Sequence, residues 1–271
     1  MSLSNKIFTT YLTVAQKVMT KQMDLPEREL REGTFIATVT AAKDLAPQLR
    51  RVTFTAPELA HLRLGGADEY VGVIMPKPGA ELSLPDPSIK NVRAAVRKMD
   101  NVDLRWYTIR QLRTDVAEID IDVVTHGTEG PGSTWFLLAA PCMQAGISLT
   151  SHLYYPHNGP QLYVADPAAA PALWAILESM SDHSNVHVLL NGAADELDIP
   201  SPLPALGSFQ QNMAIEDYVA NPPVAISNLK YAWLCGESSL ATGARRALVS
   251  AGMPKTKIMF SGYWKRGVAR G

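Results

Sequence analysis

A chain of 271 residues, 46% hydrophobic and 19% charged, holds enough apolar material for one large or two medium cores, and its formal net charge of −1 gives no general pull toward nucleic acid. No apolar run is long enough to span a bilayer, and the N-terminus lacks a signal peptide's charged region, apolar run and cleavage pattern. Cys142 and Cys235 lie far apart without metal or CxxC spacing and read as buried thiols of a cytoplasmic protein, while the histidines show no convincing ligand spacing for a metal.

In residues 1–30, Ile7, Tyr11, Val14 and Val18 recur at helical spacing among Lys6, Lys17 and Lys21, which predicts an amphipathic helix packing on the first domain or on a partner subunit. Residues 31–150 read as an antiparallel barrel of short strands: Thr34 to Ala41, Leu49 to Thr55, Glu69 to Met75, Val102 to Leu112 and Glu118 to Val124. Pro47, Pro57, Pro76 and Pro78 punctuate them, and Pro76 to Asp100 is long for a hairpin loop, so a lid or an excursion beside a site is expected there. A helix follows from Pro131 to about Ala139, with proline at its first turn where the missing N–H has no partner to lose.

A linker is expected near Leu149 to Asn158. Residues 151–271 then change texture: Gln161 to Val164, Val186 to Leu190 and Tyr231 to Leu234 read as buried parallel strands alternating with helices at Ala168 to Met180 and Ser238 to Ala251. That pattern predicts a small α/β nucleotide-binding domain. Residues 193–225 form an irregular excursion, with a short helix expected within Gln211 to Val219.

Charge is uneven along the chain. Lys90 to Arg113 carries a net +5, and Pro254 to the end carries another +5 with no acid, which suits an anionic ligand where the two segments meet, or two solvated basic faces if they do not.

The densest chemistry lies between Arg105 and Trp135. In Arg105-Trp106-Tyr107-Thr108-Ile109-Arg110, an aromatic flanked by a hydroxyl and two guanidiniums can cover one face of an isoalloxazine, bond its polar edge and neutralise phosphate. Downstream, Gly130-Pro131-Gly132-Ser133-Thr134 suits a turn that opens a helix and offers backbone N–H groups to a pyrophosphate.

Arg-x-Tyr-Thr-x-Arg, the strand that ends Val124-Thr125-His126-Gly127, the Gly-Pro-Gly-Ser-x-Trp turn, Ala165-Asp166 with Pro171-Ala172, and the near-terminal Gly262 to Gly267 together resemble the siderophore-interacting proteins. These are flavin-containing relatives of the ferredoxin reductases, and the likeness spans roughly residues 32–267. It implies β + α/β architecture: an N-terminal antiparallel six-stranded flavin-binding barrel followed by a small parallel α/β NAD(P)H-binding-like domain.

The resemblance also implies the site. Tyr107 would stack on the isoalloxazine and Thr108 bond near its N5. Arg105, in phase with Tyr107, is the choice for the flavin phosphate. Asp122, Val124 and His126 would line the ribityl and adenosine portions, and Gly130, Gly132, Ser133 and Thr134 the pyrophosphate, with Gly132 standing where the family has alanine. Asp166 and Glu237 fall on the nicotinamide side, although Glu237 at a helix start could simply complement the dipole. Lys265 and Arg266, with Arg93 or Arg97, would face an anionic ferric chelate, or form a plain basic tail.

The implied activity is reduction of FAD by NADH or NADPH and onward transfer of single electrons to ferric iron in a siderophore, with no catalytic residue on the protein. An NAD(P)H:flavin or quinone reductase on the same scaffold, and a non-catalytic siderophore- or flavin-binding protein, stay open.

Overall fold

The computed structural model describes residues 33–125, 130–201 and 203–267, so the expected N-terminal helix and His126 lie outside it. The first half is one antiparallel sheet of β1 (Thr34–Ala46), β2 (Leu49–Thr55), β3 (Tyr70–Pro76), β4 (Val102–Thr108), β5 (Gln111–Arg113), β6 (Glu118–Val124) and β7 (Gln144–Ser151), in the order β4-β3-β7-β1-β2-β6-β5. Its alternation is clearest in β6, where Ile119, Ile121 and Val123 enter the core while Asp120 and Asp122 face the other way.

The expected strand from Val102 to Leu112 is two strands. After Thr108 the chain stops pairing with β3; Ile109 N–H donates to the Glu69 carbonyl and Arg110 N–H to that of Asp120, which carries the chain across to β6. Opposite edges of the sheet are thus consecutive stretches of chain, and the barrel is drawn shut by covalent continuity rather than by a ladder. The short β5 makes seven strands where six were expected, and β7 takes in residues 149–151, which the sequence had suggested as linker.

Helix α1 (Val92–Val96) sits in the excursion after β3, capped by the Asn91 side chain, and packs Val96 against Ile74, Val102 and Leu104 on the outer side of the sheet. Helix α2 (Pro131–Leu138) covers the barrel end with Trp135 and Phe136, whose rings lie 6.0 and 6.3 Å from that of Phe54. Cys142, expected to be buried, is exposed in the turn between α2 and β7, where the backbone takes φ 74°; Cys235 is buried.

The second half is a parallel sheet of β8 (Gln161–Ala165), β9 (Val186–Leu190), β10 (Ser208–Gln211), β11 (Tyr231–Glu237) and β12 (Ile258–Trp264), ordered β10-β9-β8-β11-β12. Helix α3 (Ala170–Glu178) covers one face; α4 (Ile215–Ala220) and α5 (Ser238–Ser250) cover the other. Covered on both sides, the central strands are apolar throughout, which is why they were readable. The edge strands β10 and β12 are mixed in polarity and were not.

Among the described residues, polar cross-links fasten the halves at three places. Asp68, 1% exposed, accepts from Leu153 N–H and Tyr154 N–H at 2.9 Å each and from Trp233 Nε1 at 3.3 Å. Gln48 bonds Asp195 through both backbone and side chain, at 2.7 and 2.6 Å. Arg110 Nη1 meets Glu178 Oε2 at 2.7 Å. No described helix is long and apolar enough to cross a membrane.

Candidate functional site

A cleft of about 220 Å³ opens between the two sheets. Its first wall is the seam where β4 faces β6, from Leu104 to Tyr107 and from Asp122 to Val124; Ala168, Tyr263 and Trp264 close it from the second sheet and Arg93 of α1 stands at its side.

Tyr107 sets the geometry. Its ring packs edge-on against Phe136 at 4.8 Å, and its hydroxyl lies so close to the α-carbon of Gly132 that a Cβ there would overlap it. Burial pushes the phenol well above its ordinary range, so it stays neutral. The same absent Cβ would come 3.4 Å from Cγ of Arg105, so Arg105, Tyr107 and the start of α2 converge.

Among the described residues, that helix start is bare of competing charge. Gly130 caps it at φ 90°, Pro131 follows, no side chain bonds the cap, and the first turn holds no acid. Its first N–H groups and the positive end of the dipole are available to an anion. Thr134 is the exception, turning its hydroxyl back to the Gly130 carbonyl at 3.0 Å. An aryl wall, a guanidinium and an uncapped helix start fit a dinucleotide carrying a flat aromatic ring, as FAD does.

The other expected residues are placed as follows. Asp122 and Val124 line the cleft, but the Asp122 carboxylate is gripped by Arg51 through Nε at 2.6 Å and Nη2 at 2.7 Å. Thr108 is buried, and the cleft wall ends before it at Tyr107.

Asp166, at the carboxyl end of β8, accepts from Glu237 N–H and Trp264 Nε1 at 2.7 Å each on Oδ2, and from Ala169 N–H at 3.1 Å on Oδ1. Burial raises its pKa, and those donors pull the other way. Gly236, at φ 136°, leaves room for this carboxylate, since a Cβ there would strike it. Asp166 therefore shapes the wall by binding three strand ends together rather than offering oxygens to a ligand.

Glu237 caps α5, accepting from Ser239 and Leu240 N–H, and also takes Arg266 N–H at 3.3 Å; the Ser239 hydroxyl holds its pKa down. Lys265 and Arg266 are exposed just beyond β12. Trp106 and Val123 in the cleft wall were not singled out as site residues from sequence, because strand parity cannot show which edge faces a partner sheet. Among the described residues, no group of three or more His, Cys, Asp or Glu could hold a metal ion.

Two family models match this chain: a siderophore-interacting FAD-binding domain over residues 38–148 and a siderophore-interacting protein over residues 159–267. A ferric vibriobactin reductase, ViuB, from Vibrio cholerae is 29% identical over 247 residues, covering 83% of this chain and 87% of the relative. Among solved structures, a siderophore utilization protein from T. fusca superposes with TM-score 0.69 at 24% identity, covering 90% of this chain and 98% of that one. The siderophore-interacting protein SipS from Aeromonas hydrophila gives 0.68 at 23%, covering 87% and 99%. At those identities the two structures speak for the fold.

Proposed function

The chain belongs to the siderophore-interacting proteins, whose N-terminal half is an FAD-binding domain, and on that premise we propose that it is an oxidoreductase passing electrons from NADH or NADPH to ferric iron in a siderophore, which leaves as Fe(II). The observation that carries this reading is that Tyr107 and Arg105, which line the cleft between the sheets, also converge on the uncapped start of α2 at Gly132. In this reading Tyr107 backs the flat ring, Arg105 and the N–H groups of Gly132 and Ser133 hold the diphosphate, and Asp122 and Val124 border what lies between. FAD, when bound, supplies the exchange between a two-electron donor and a one-electron acceptor.

The chain's own contribution is placement and field. Half-buried Tyr107 gives one side of the cleft an aryl wall, and desolvation keeps its phenol neutral. Asp166 fixes Trp264 and the end of β11 against the opening. Exposed Lys265, Arg266 and Arg93 raise the local concentration of an anionic ferric chelate. Hard oxygen chelators hold Fe(III) far more tightly than Fe(II), so reduction loosens the metal and no covalent step on the protein is required.

The test is the absorption spectrum of the purified chain, followed without oxygen on adding NADH or NADPH and then a ferric siderophore with a chromogenic Fe(II) trap. Flavin bands that bleach with the nicotinamide and return with formation of the Fe(II) complex are expected. Bands that bleach but do not return with any ferric chelate overturn the iron step. A second reading, a flavin- or siderophore-holding protein without turnover, is favoured by Asp166 and Glu237, which occupy the strand-end and helix-start N–H groups a dinucleotide phosphate would use. Stable flavin that neither nicotinamide bleaches would support it instead.

A further inference from the structure

Resting on the ferric-chelate reading above, we propose that Trp106 is the platform on which the chelate lies, and that the chelate is of the aryl-oxygen class, with anionic catecholate or phenolate rings.

Among the described residues Trp106 is the one aromatic in the set of exposed large hydrophobic side chains, at 40% exposure, and it lines the flavin cleft. Exposing an indole forgoes apolar burial, and this one is held in place rather than loose. Tyr70 meets it edge-on at 6.1 Å and 86°. Gly72 on the neighbouring strand lets it lie down on β3, since a Cβ there would come 2.8 Å from the six-membered ring. A pre-set aromatic face loses little freedom on binding.

Strand parity separates this face from the dinucleotide. Side chains alternate along β4, so Arg105 and Tyr107 turn to Gly132 and the start of α2, whereas Leu104 and Trp106 turn to the outer side. Helix α1 packs on that outer side through Val96 and Leu104 and brings Arg93 to the cleft, with Arg97 and Lys98 exposed on the same excursion.

An indole face gives a flat aryl ring apolar and dispersion contact in offset stacking, and the guanidiniums beside it neutralise that ring's anionic oxygens. Hydroxamate chelators have hard oxygens but no aromatic ring to stack, and gain less from the indole. Because Trp106 adjoins Tyr107 in sequence and in the cleft wall, a chelate seated there borders the flavin site without displacing its tail.

The test uses the FAD-loaded full chain with redox-inert gallium(III) tris-catecholate and gallium(III) tris-hydroxamate, titrated by calorimetry into wild type, Trp106→Ala and Trp106→Phe. The alanine variant should weaken catecholate binding about tenfold or more, the phenylalanine variant should recover most of it, and hydroxamate binding should move less than about twofold in both. No catecholate binding by wild type, an alanine variant that binds as wild type does, or a parallel loss for both chelates overturns the platform. Gallium catecholate that binds through Trp106 while the ferric counterpart is never reduced would leave the platform standing and remove the reductase. Ferric chelates of both classes reduced equally well by wild type and Trp106→Ala would do the reverse.

Discussion

The hydroxyl of Tyr107 rests against the α-carbon of Gly132, so a strand of the cleft wall and the start of α2 are fitted to each other at the level of one missing methyl group. Gly132→Ala should force the phenol aside at a cost of about 1–3 kcal/mol and weaken FAD binding roughly tenfold. Tyr107→Phe removes the obstructing oxygen and keeps the aryl wall. The double variant should therefore bind FAD more tightly than Gly132→Ala alone, as read by flavin fluorescence titration; additive losses would show that the two positions are not coupled.

Arg105 and the α2 start act on the same anion in this reading. Arg105→Ala should weaken FAD by about 2 kcal/mol, in the range of a charge-assisted hydrogen bond, and flatten the dependence of FAD affinity on ionic strength. A variant that retains FAD with unchanged salt dependence would place the diphosphate elsewhere.

Asp166 gives a pH signature. Its carboxyl ionises near the usual carboxylate value, about 3.9, in the unfolded chain, and burial raises it in the fold. Between those two values the folded state holds more protons, so this residue's contribution to stability falls as pH rises through the window and is level above it. Asp166→Asn should abolish that decline. At neutral pH it should also cost about 1–3 kcal/mol, because an amide N–H would then face Trp264 Nε1 or a backbone N–H. Urea melts from pH 4 to 8 measure both effects, and parallel profiles for variant and wild type would refute the assignment.

Two ion pairs near the cleft should differ sharply. The Asp122 side chain is 4% exposed and Arg51 grips both its oxygens, so Asp122→Ala should cost about 3 kcal/mol. Glu178, at 58% exposure, meets Arg110 with a similar fork, yet Glu178→Gln should cost less than about 1 kcal/mol and mostly at low salt. Equal losses in thermal melts would mean that exposure does not set the worth of these pairs.

Lys265→Glu with Arg266→Glu should lower kcat/KM for an anionic ferric chelate about tenfold at low ionic strength, with the difference closing above roughly 0.5 M salt. An unchanged kcat/KM would show that these cations do not face the substrate.

Much of this architecture was legible in the chain because periodicity and burial coincide. β6 and β9 fall where the sequence put them because their apolar residues alternate cleanly or run unbroken between two helical layers, and β2 does so although Leu49, Val52 and Phe54 are unevenly spaced. The break at Ile109 and Arg110 was hidden, since both residues continue the local pattern and only the switch of partner from Glu69 to Asp120 ends the strand. In the site, Arg105, Tyr107 and Gly132 were named from their motifs, and they converge. Asp166 was placed correctly at a strand end, but the direction of its carboxylate depends on Trp264, nearly a hundred residues on, which no local pattern announces. Trp106 was passed over for a similar reason: only the packing of α1 shows which side of β4 carries cations.

The cross-links at Asp68 and Gln48 also bear on the spacing of the two sheets. Asp68 is buried and ties the start of the second half to the first through two backbone N–H groups and the Trp233 indole, so loosening that one carboxylate would let the two walls of the cleft drift apart together.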